Sequence, residues 1–293
     1  MDSIKDRPVF SFGEIVWDIF PEEKKLGGAP LNFAYYIGKL GGNSRIVSAL
    51  GNDDLGHEAL EAVNGCGLRT DGIRILDSLP TGVVRVSVDF NGVPQYDIST
   101  PAAWDEICWT DREEILPLVR NAGIFAFGTL AQRSRRNREC LREMLSQLSS
   151  DAIIVFDANL RQNFYSREII SESMEIADVV KMNEDEFPVI SEYCGFSRGS
   201  PIDEIAGELV SRFKIKYLLI TLGKDGSFVL DKSGKSIRRQ GRRINIVDTV
   251  GAGDSFTAAF VWNIANGKSM EDASSAAARL SELVCGRKGA FCL

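Results

Sequence analysis

Short apolar runs alternate with amphipathic helical stretches along almost the whole chain. This rhythm narrows the fold more than any other property. Residues 9–15, 45–49, 124–127, 153–156, 179–182 and 217–221 read as buried strands. Helices read between them: 31–40, closed by Gly41 and Gly42, the core 58–63, and stretches near 112–121, 134–148, 168–177, 184–193 and 202–213. Such an order predicts an α/β fold with a central, mostly parallel sheet flanked by helices on both faces. The C-terminal third is helical over 255–265 and 270–285, and Ala258, Ala259 and Ala276 to Ala278 allow those two helices to pack closely.

Two segments break the rhythm. Residues 18–26 follow the first strand without a helical pattern. Residues 81–98 read as a hairpin, with Asn91-Gly92 at its turn. A hairpin inserted in an α/β chain serves as a lid or a subunit contact, or simply extends the main sheet. The 293 residues carry enough apolar side chains (44%) for one large domain spanning 1–293, and no low-complexity linker divides it.

Charge and residue counts exclude several function classes. A net charge of −7 argues against nucleic acid or an anionic membrane as partner. No run of 18 apolar residues suggests a membrane span, and residues 1–8 lack the apolar core of a secretory signal. Six cysteines without a C-x-x-C pair read as reduced thiols of a cytoplasmic protein. The single histidine, His57, lies in a polar turn before a helix, which removes His-rich metal sites and leaves little for a Ser-His-Asp or Cys-His triad.

The chemistry concentrates in Asp248-Thr249-Val250-Gly251-Ala252-Gly253-Asp254, which runs straight into a helix. Backbone N–H groups of Gly251, Ala252 and Gly253 at a helix N-terminus make an anion hole. Asp254 sets a proton acceptor beside it, the pairing that phosphoryl transfer to an alcohol needs. Two decoys fail. Gly234-Lys235-Ser236 and Gly267-Lys268-Ser269 have Val229 and Trp262 where a P-loop needs its first glycine. Gly251-Ala252-Gly253 has Phe256 where a dinucleotide fingerprint needs its third. A second motif, Gly27-Gly28-Ala29-Pro30-Leu31-Asn32, reads either as a tight turn into a helix or as a ligand loop with Asn32 on the first turn.

Together the two motifs resemble the two signatures of the ribokinase-like, or PfkB, carbohydrate kinases, and the resemblance runs from Phe12 to about Ala290. Gly13-Glu14 with Asp18, Phe127-Gly128-Thr129-Leu130 and Asp157-Ala158-Asn159-Leu160-Arg161 are most similar to stretches of fructokinases. The resemblance implies a ribokinase-like fold with a small β-sheet lid from about 14–27 and 80–100. It implies a sugar and ATP as small-molecule substrates, Mg²⁺, a possible K⁺ and a homodimer formed through the lid. It makes Asp254 the catalytic base and Gly251, Ala252 and Gly253 the anion hole.

Asp18, Gly28 and Asn32 match sugar-holding positions, and Arg161 is a candidate for phosphate or sugar contact. Asn183 and Glu186 match an N-x-x-E element that orients Mg²⁺, with Glu186 acting through water. Glu184 to Glu186 read equally as the acidic first turn of a helix. Thr221, Gly223 and Gly226 resemble the nucleotide loop, although such a pattern alone is a hairpin turn. Asp248 resembles an aspartate of a monovalent-cation site.

Leu31 and Phe33 are larger than the residues usual beside these glycines, which leaves the acceptor open. Fructose is the favoured reading. Ketodeoxygluconate, ribose or a nucleoside is the alternative acceptor, and a catalytically silent sugar- or nucleotide-binding regulator is the alternative class. An NAD-binding oxidoreductase stands further off.

Overall fold

The computed structural model describes residues 4–88, 94–107, 115–197, 199 and 201–291. The apolar runs become strands β1 (Val9–Phe12), β4 (Ser44–Gly51), β8 (Ile124–Gly128), β9 (Ile153–Asp157), β10 (Val179–Asn183) and β11 (Tyr217–Thr221). With β5 (Ile73–Leu76), β12 (Ser227–Asp231) and β13 (Ser236–Arg239) they form one nine-stranded sheet. Its order is β13-β12-β11-β10-β9-β8-β1-β4-β5. The run from β11 to β5 is parallel, and β12 and β13 add to it antiparallel.

The strands keep a period of two although nearly every residue is buried. Phe10, Phe12, Phe125, Phe127 and Phe156 point to one face, and Val9, Ile124, Ala126 and Val155 to the other. The first face is covered by α3 (Ile115–Arg120), α4 (Arg135–Ser146), α5 (Arg167–Ile176), α6 (Glu186–Tyr193) and α7 (Ile202–Phe213). The second is covered by α1 (Ala29–Lys39), α2 (Asp54–Gly65), α8 (Ala252–Ala265) and α9 (Met270–Cys285). Two apolar layers against one parallel sheet make the expected α/β architecture, and the structure agrees with the ribokinase-like reading.

The irregular segments pair with each other. Strands β2 (Val16–Ile19), β3 (Lys24–Gly27), β6 (Gly82–Val88) and β7 (Pro94–Ile98) form a separate four-stranded sheet in the order β3-β2-β6-β7. Its central pair, β2 and β6, is parallel and its outer pairs are antiparallel. The expected Asn91-Gly92 turn and residues 112–114 of the expected 112–121 helix lie outside the described residues.

Strands β5, β12 and β13 escape a reading based on apolar runs. Edge strand β13 is Ser-Ile-Arg-Arg and mostly exposed, so it carries the charges that protect a sheet edge rather than a buried pattern. Among the described residues, no helix is long and apolar enough to cross a membrane. Cys66, Cys140, Cys194 and Cys285 are free thiols.

Candidate active site

The C-terminal ends of the parallel strands gather the motifs. The chain leaves β1 into Gly13 and Glu14, while β9 ends at Asp157, β10 at Asn183 and β11 at Thr221. Ligand sites of open α/β sheets lie on this edge. Helices α1 and α8 pack together on one face and bring their N-termini to it. Asn32, in the first turn of α1, donates from Nδ2 to Asp254 Oδ2 at 2.7 Å, joining the two signature motifs.

Gly251 caps α8 in the left-handed region (φ 80°), which turns the chain into the helix. In the turn expected to form an anion hole, the three amides are not equivalent. The Ala252 N–H donates back to the Thr249 carbonyl at 3.2 Å, whereas Gly253 and Asp254 lie in the first turn, where helical amides lack intrahelical acceptors. Burial pushes the Asp254 carboxyl up to about 6, with repulsion from Asp157 adding to it. Lys181, the Asn32 hydrogen bond and Arg161 pull the other way.

Asp157 and Lys181 form a buried ion pair, Nζ to Oδ1 at 3.0 Å, with Lys181 only 5% exposed. Thr257, one turn into α8, donates to Asp157 Oδ2 at 3.2 Å. Burial would depress the Lys181 ammonium, but Asp157, Glu186 and Asp254 together hold it above its usual range. Glu186 accepts N–H bonds from Asn183 at 2.8 Å and from Leu160 at 3.0 Å. Asn183 Oδ1 in turn accepts from the amides of Asp185 (2.9 Å) and Glu186 (2.8 Å). This element thus closes the turn into α6, which is the helix-turn reading of the acidic residues. Burial pushes the Glu186 carboxyl up, against the pull of Lys181.

Gly28 adopts φ 117°, and a Cβ there would come within 2.3 Å of the Glu14 carbonyl. Its missing side chain therefore lets α1 start against the β1–β2 connection. Asp18 lies on β2 opposite Lys25. Burial pushes its carboxyl up to about 6, while Arg161 and Lys25 draw it down. Arg161 is exposed on the loop after β9 and acts electrostatically on Asp18, Glu14 and Asp254. That loop is tied to the second sheet by Gln162 Nε2, which donates to the Tyr96 carbonyl at 2.6 Å. Leu31 is fully buried in the core and does not face the cleft, whereas Phe33 lines a small cavity with Glu14, Pro30, Asp157 and Asn159.

Thr221, Gly223 and Gly226 form the tight connection from β11 to β12, with Gly223–Asp225 as a 3-10 turn. A Cβ on Gly226 would sit 2.0 Å from the Arg239 carbonyl, so this glycine serves a backbone crossing with the following segment. Asp248 accepts the Val250 amide at Oδ1 (3.1 Å), and the Gly289 amide (3.0 Å) and Lys25 Nζ (3.3 Å) at Oδ2. Burial raises its carboxyl, but these bonds win and hold it below the usual range.

Three charged residues of the site, Glu14, Asp157 and Lys181, received no role from the sequence, although Glu14 and Asp157 lie in stretches that carry the resemblance. Glu14 is 4% exposed; burial pushes its carboxyl up to about 7, with Arg161 opposing and Asp254 adding to the shift. Lys181 interrupts the apolar strand Val179-Val180-Lys181-Met182, and a lysine inside a buried run is the signal that could have found it. His57 is exposed in the first turns of α2, and the two P-loop decoys fall at the β12–β13 and α8–α9 turns.

The chain matches the family described as pfkB family carbohydrate kinase over residues 4–291. It is 29% identical to a fructokinase of Solanum tuberosum, across 94% of this chain and 86% of that protein. It is 28% identical to fructokinase-2 of Oryza sativa subsp. japonica, across 89% and 81%. Among solved structures, an uncharacterized sugar kinase of Pyrococcus horikoshii in complex with ATP superposes with a TM-score of 0.81 at 25% identity, covering 97% of this chain and 94% of that one. A 2-dehydro-3-deoxygluconokinase of Thermotoga maritima has the same fold, with a TM-score of 0.83 at 22% identity over 98% and 96%. With the two signature motifs joined at one cleft and the family match spanning nearly every residue, the chain belongs to the pfkB family of carbohydrate kinases.

Proposed function

We propose that the protein is an ATP-dependent sugar kinase that phosphorylates a primary hydroxyl, with fructose as acceptor and fructose 6-phosphate as product. The observation that carries the reading is the 2.7 Å bond from Asn32 to Asp254 at the start of α8. It sets a proton acceptor within reach of both a polar sugar contact and the amides of an anion hole. The ATP of the Pyrococcus horikoshii complex supports the donor. The fructokinase names of the plant relatives support the acceptor. The Thermotoga maritima neighbour keeps ketodeoxygluconate as the alternative.

In this reading Asp18, Gly28 and Asn32 hold the sugar, and Arg161 faces sugar or phosphate. Thr221, Gly223 and Gly226 approach the nucleotide. Asp254 takes the proton as the hydroxyl oxygen attacks the γ-phosphorus. The bond to the β–γ bridging oxygen breaks, ADP leaves, and the Gly251–Asp254 turn faces the charge of the transferring group. With a pKa of about 6, Asp254 is ionised at neutral pH yet still basic enough to accept a proton.

Among the described residues, no three Asp, Glu, His or Cys side chains are grouped to cage a metal. Glu186 beside the transfer site fits Mg²⁺, which keeps several waters and is held largely by substrate phosphates. When bound, Mg²⁺ would neutralise phosphate charge, with Asn183 and Glu186 orienting its waters. A K⁺ at Asp248 would have to share that carboxylate with Lys25.

The four-stranded sheet acts as a lid that closes over the sugar and excludes water. Dimerisation through that sheet follows from the family resemblance, and a monomeric mass in solution would overturn it. The reaction is assigned to the cytoplasm, where ATP is available and thiols such as Cys66 stay reduced.

The test is ADP release from Mg-ATP with fructose, ribose, ketodeoxygluconate, glucose and adenosine. Turnover on fructose supports the full reading. Turnover on another member of the panel moves the acceptor and keeps the chemistry. ATP binding without turnover on any of them favours the silent regulator.

A further inference from the structure

One charged residue enclosed behind the anion hole is not in either signature motif. Lys181 leaves the middle of β10 with its ammonium pinned to Asp157 at 3.0 Å. A Cβ built on Gly253 would stand 3.0 Å from Lys181 Nζ and 3.4 Å from its Cε. The missing side chain of Gly253 therefore does more than bare an amide: it admits a lysine underneath the first turn of α8. Asp157 is joined to the same turn through Thr257, whose hydroxyl lies 3.2 Å from Asp157 Oδ2 and 3.0 Å from the Gly253 carbonyl and shares its one proton between them. Three elements, the end of β9, the middle of β10 and the start of α8, are thus tied around one buried positive charge.

That charge has an electrostatic task. Asp157, Glu186 and Asp254 all act on it, so a site that must receive a polyphosphate already holds three carboxylates around one ammonium. Without the ammonium those carboxylates would repel each other and an incoming phosphoryl group. We infer that Lys181 is a positioning residue for phosphoryl transfer: held by Asp157 beneath Gly253, it keeps Asp254 ready to accept a proton and adds fixed positive charge behind the anion hole. This rests on the kinase reading for its consequence, but not for its geometry.

The groups facing Asp254 are Asn32 from α1, Asp157 from β9, Lys181 from β10, Arg161 from the loop after β9 and Glu14 from the loop after β1. Of these, Asp157 raises and Lys181 lowers the Asp254 titration. Two single variants and their combination separate the contributions. Lys181→Met should lower kcat about tenfold or more with little change in the KM for sugar, as loss of transition-state charge stabilisation does. It should also move the acid limb of the pH profile upward. Asp157→Asn should move that limb downward, and Lys181→Met with Asp157→Asn should bring it back toward the parent.

The Asp254 carboxyl is followed in parallel by ¹³C NMR of aspartate-labelled protein, assigned with Asp254→Asn. If the parent protein turns over no sugar, the kinase reading fails. The NMR midpoint, rising in Lys181→Met and falling in Asp157→Asn, still supports the positioning role. If Lys181→Met only lowers Tm and leaves kcat, the acid limb and the NMR midpoint unmoved, Lys181 is structural and the inference is overturned.

Discussion

The two sheets of this molecule obey different rules. In the nine-stranded sheet, β4 is buried at all eight positions and β1 at all four, and each strand sends alternate apolar side chains into two helix layers. In the four-stranded sheet, one strand carries Asp18 and its neighbour carries Lys25, and burial holds the Asp18 carboxyl above its usual range against the pull of Arg161 and Lys25. The large sheet derives stability from removing carbon from water. The small one places partly desolvated charge beside the cleft, at a cost that only binding would recover. The proposed function would divide stability and specificity between the two sheets, and substitutions in the two should then show different signatures.

The sharpest test concerns the cleft where the two sheets meet. Asp254→Asn preserves the size of the side chain and an acceptor for Asn32, so Tm should hold while turnover falls by about 10³-fold. Near-normal ADP release would remove Asp254 from the chemistry. Next comes the large sheet. Phe156 is fully buried against Phe127, and Phe156→Ala should cost about 3–5 kcal/mol in urea unfolding. A cost below about 1 kcal/mol would break the contrast between the sheets.

Glu14 gives a pH-dependent comparison. Its carboxyl titrates near 4.5 unfolded and near 7 folded, so the folded state binds the extra proton between those values. Stability from this group is present at low pH and is lost as pH rises through about 7. Glu14→Gln, which is neutral throughout, should raise Tm at pH 8, by at most about 3 kcal/mol in stability, with little change at pH 5. Equal effects at both pH values would show that Glu14 does not titrate as its burial implies.

Asp18→Asn should raise the sugar KM roughly tenfold, the scale of one charge-assisted hydrogen bond, and should not lower Tm, since it removes a carboxyl that burial holds above its usual range. A fall in Tm with unchanged KM would make the small sheet structural after all. The smallest effect belongs to Lys25→Ala. Its pair with Asp248 is partly exposed, so stability should change by less than about 1 kcal/mol. Activity compared in K⁺ and in tetramethylammonium should become more K⁺-dependent once Lys25 no longer occupies Asp248. An unchanged ratio would mean that no cation competes there.

The layers of the fold were legible because burial on both faces of a parallel strand leaves an apolar run of four to eight residues. Tyr217–Thr221 was read at its observed bounds for that reason, and Met270–Cys285 because its helical period is long. Strand β13 was not, because an edge strand needs charge rather than apolar content. The pairing of β2 with β6, which joins residues 16–19 to 82–85, was reached only through the family resemblance and its lid from about 14–27 and 80–100. No local pattern encodes a contact across that separation.

The site divides in the same way. Asp254 and the glycines beside it form a contiguous motif, and its chemistry follows from the order of its residues along the chain. Asn32 was assigned to the sugar, and only the packing of α1 on α8 reveals that it also holds Asp254. Lys181, 73 residues before Asp254 in the chain, reaches the underside of Gly253 only after β9, β10 and α8 have assembled. The sequence by itself therefore determined the fold class through its periodicity and the carbohydrate kinase family through the resemblance of two short motifs, and it proposed the residues of the anion turn from their short-range order. Tertiary structure alone decided which charges share a desolvated space, because a carboxylate's proton affinity depends on neighbours that the chain brings from tens to hundreds of residues away.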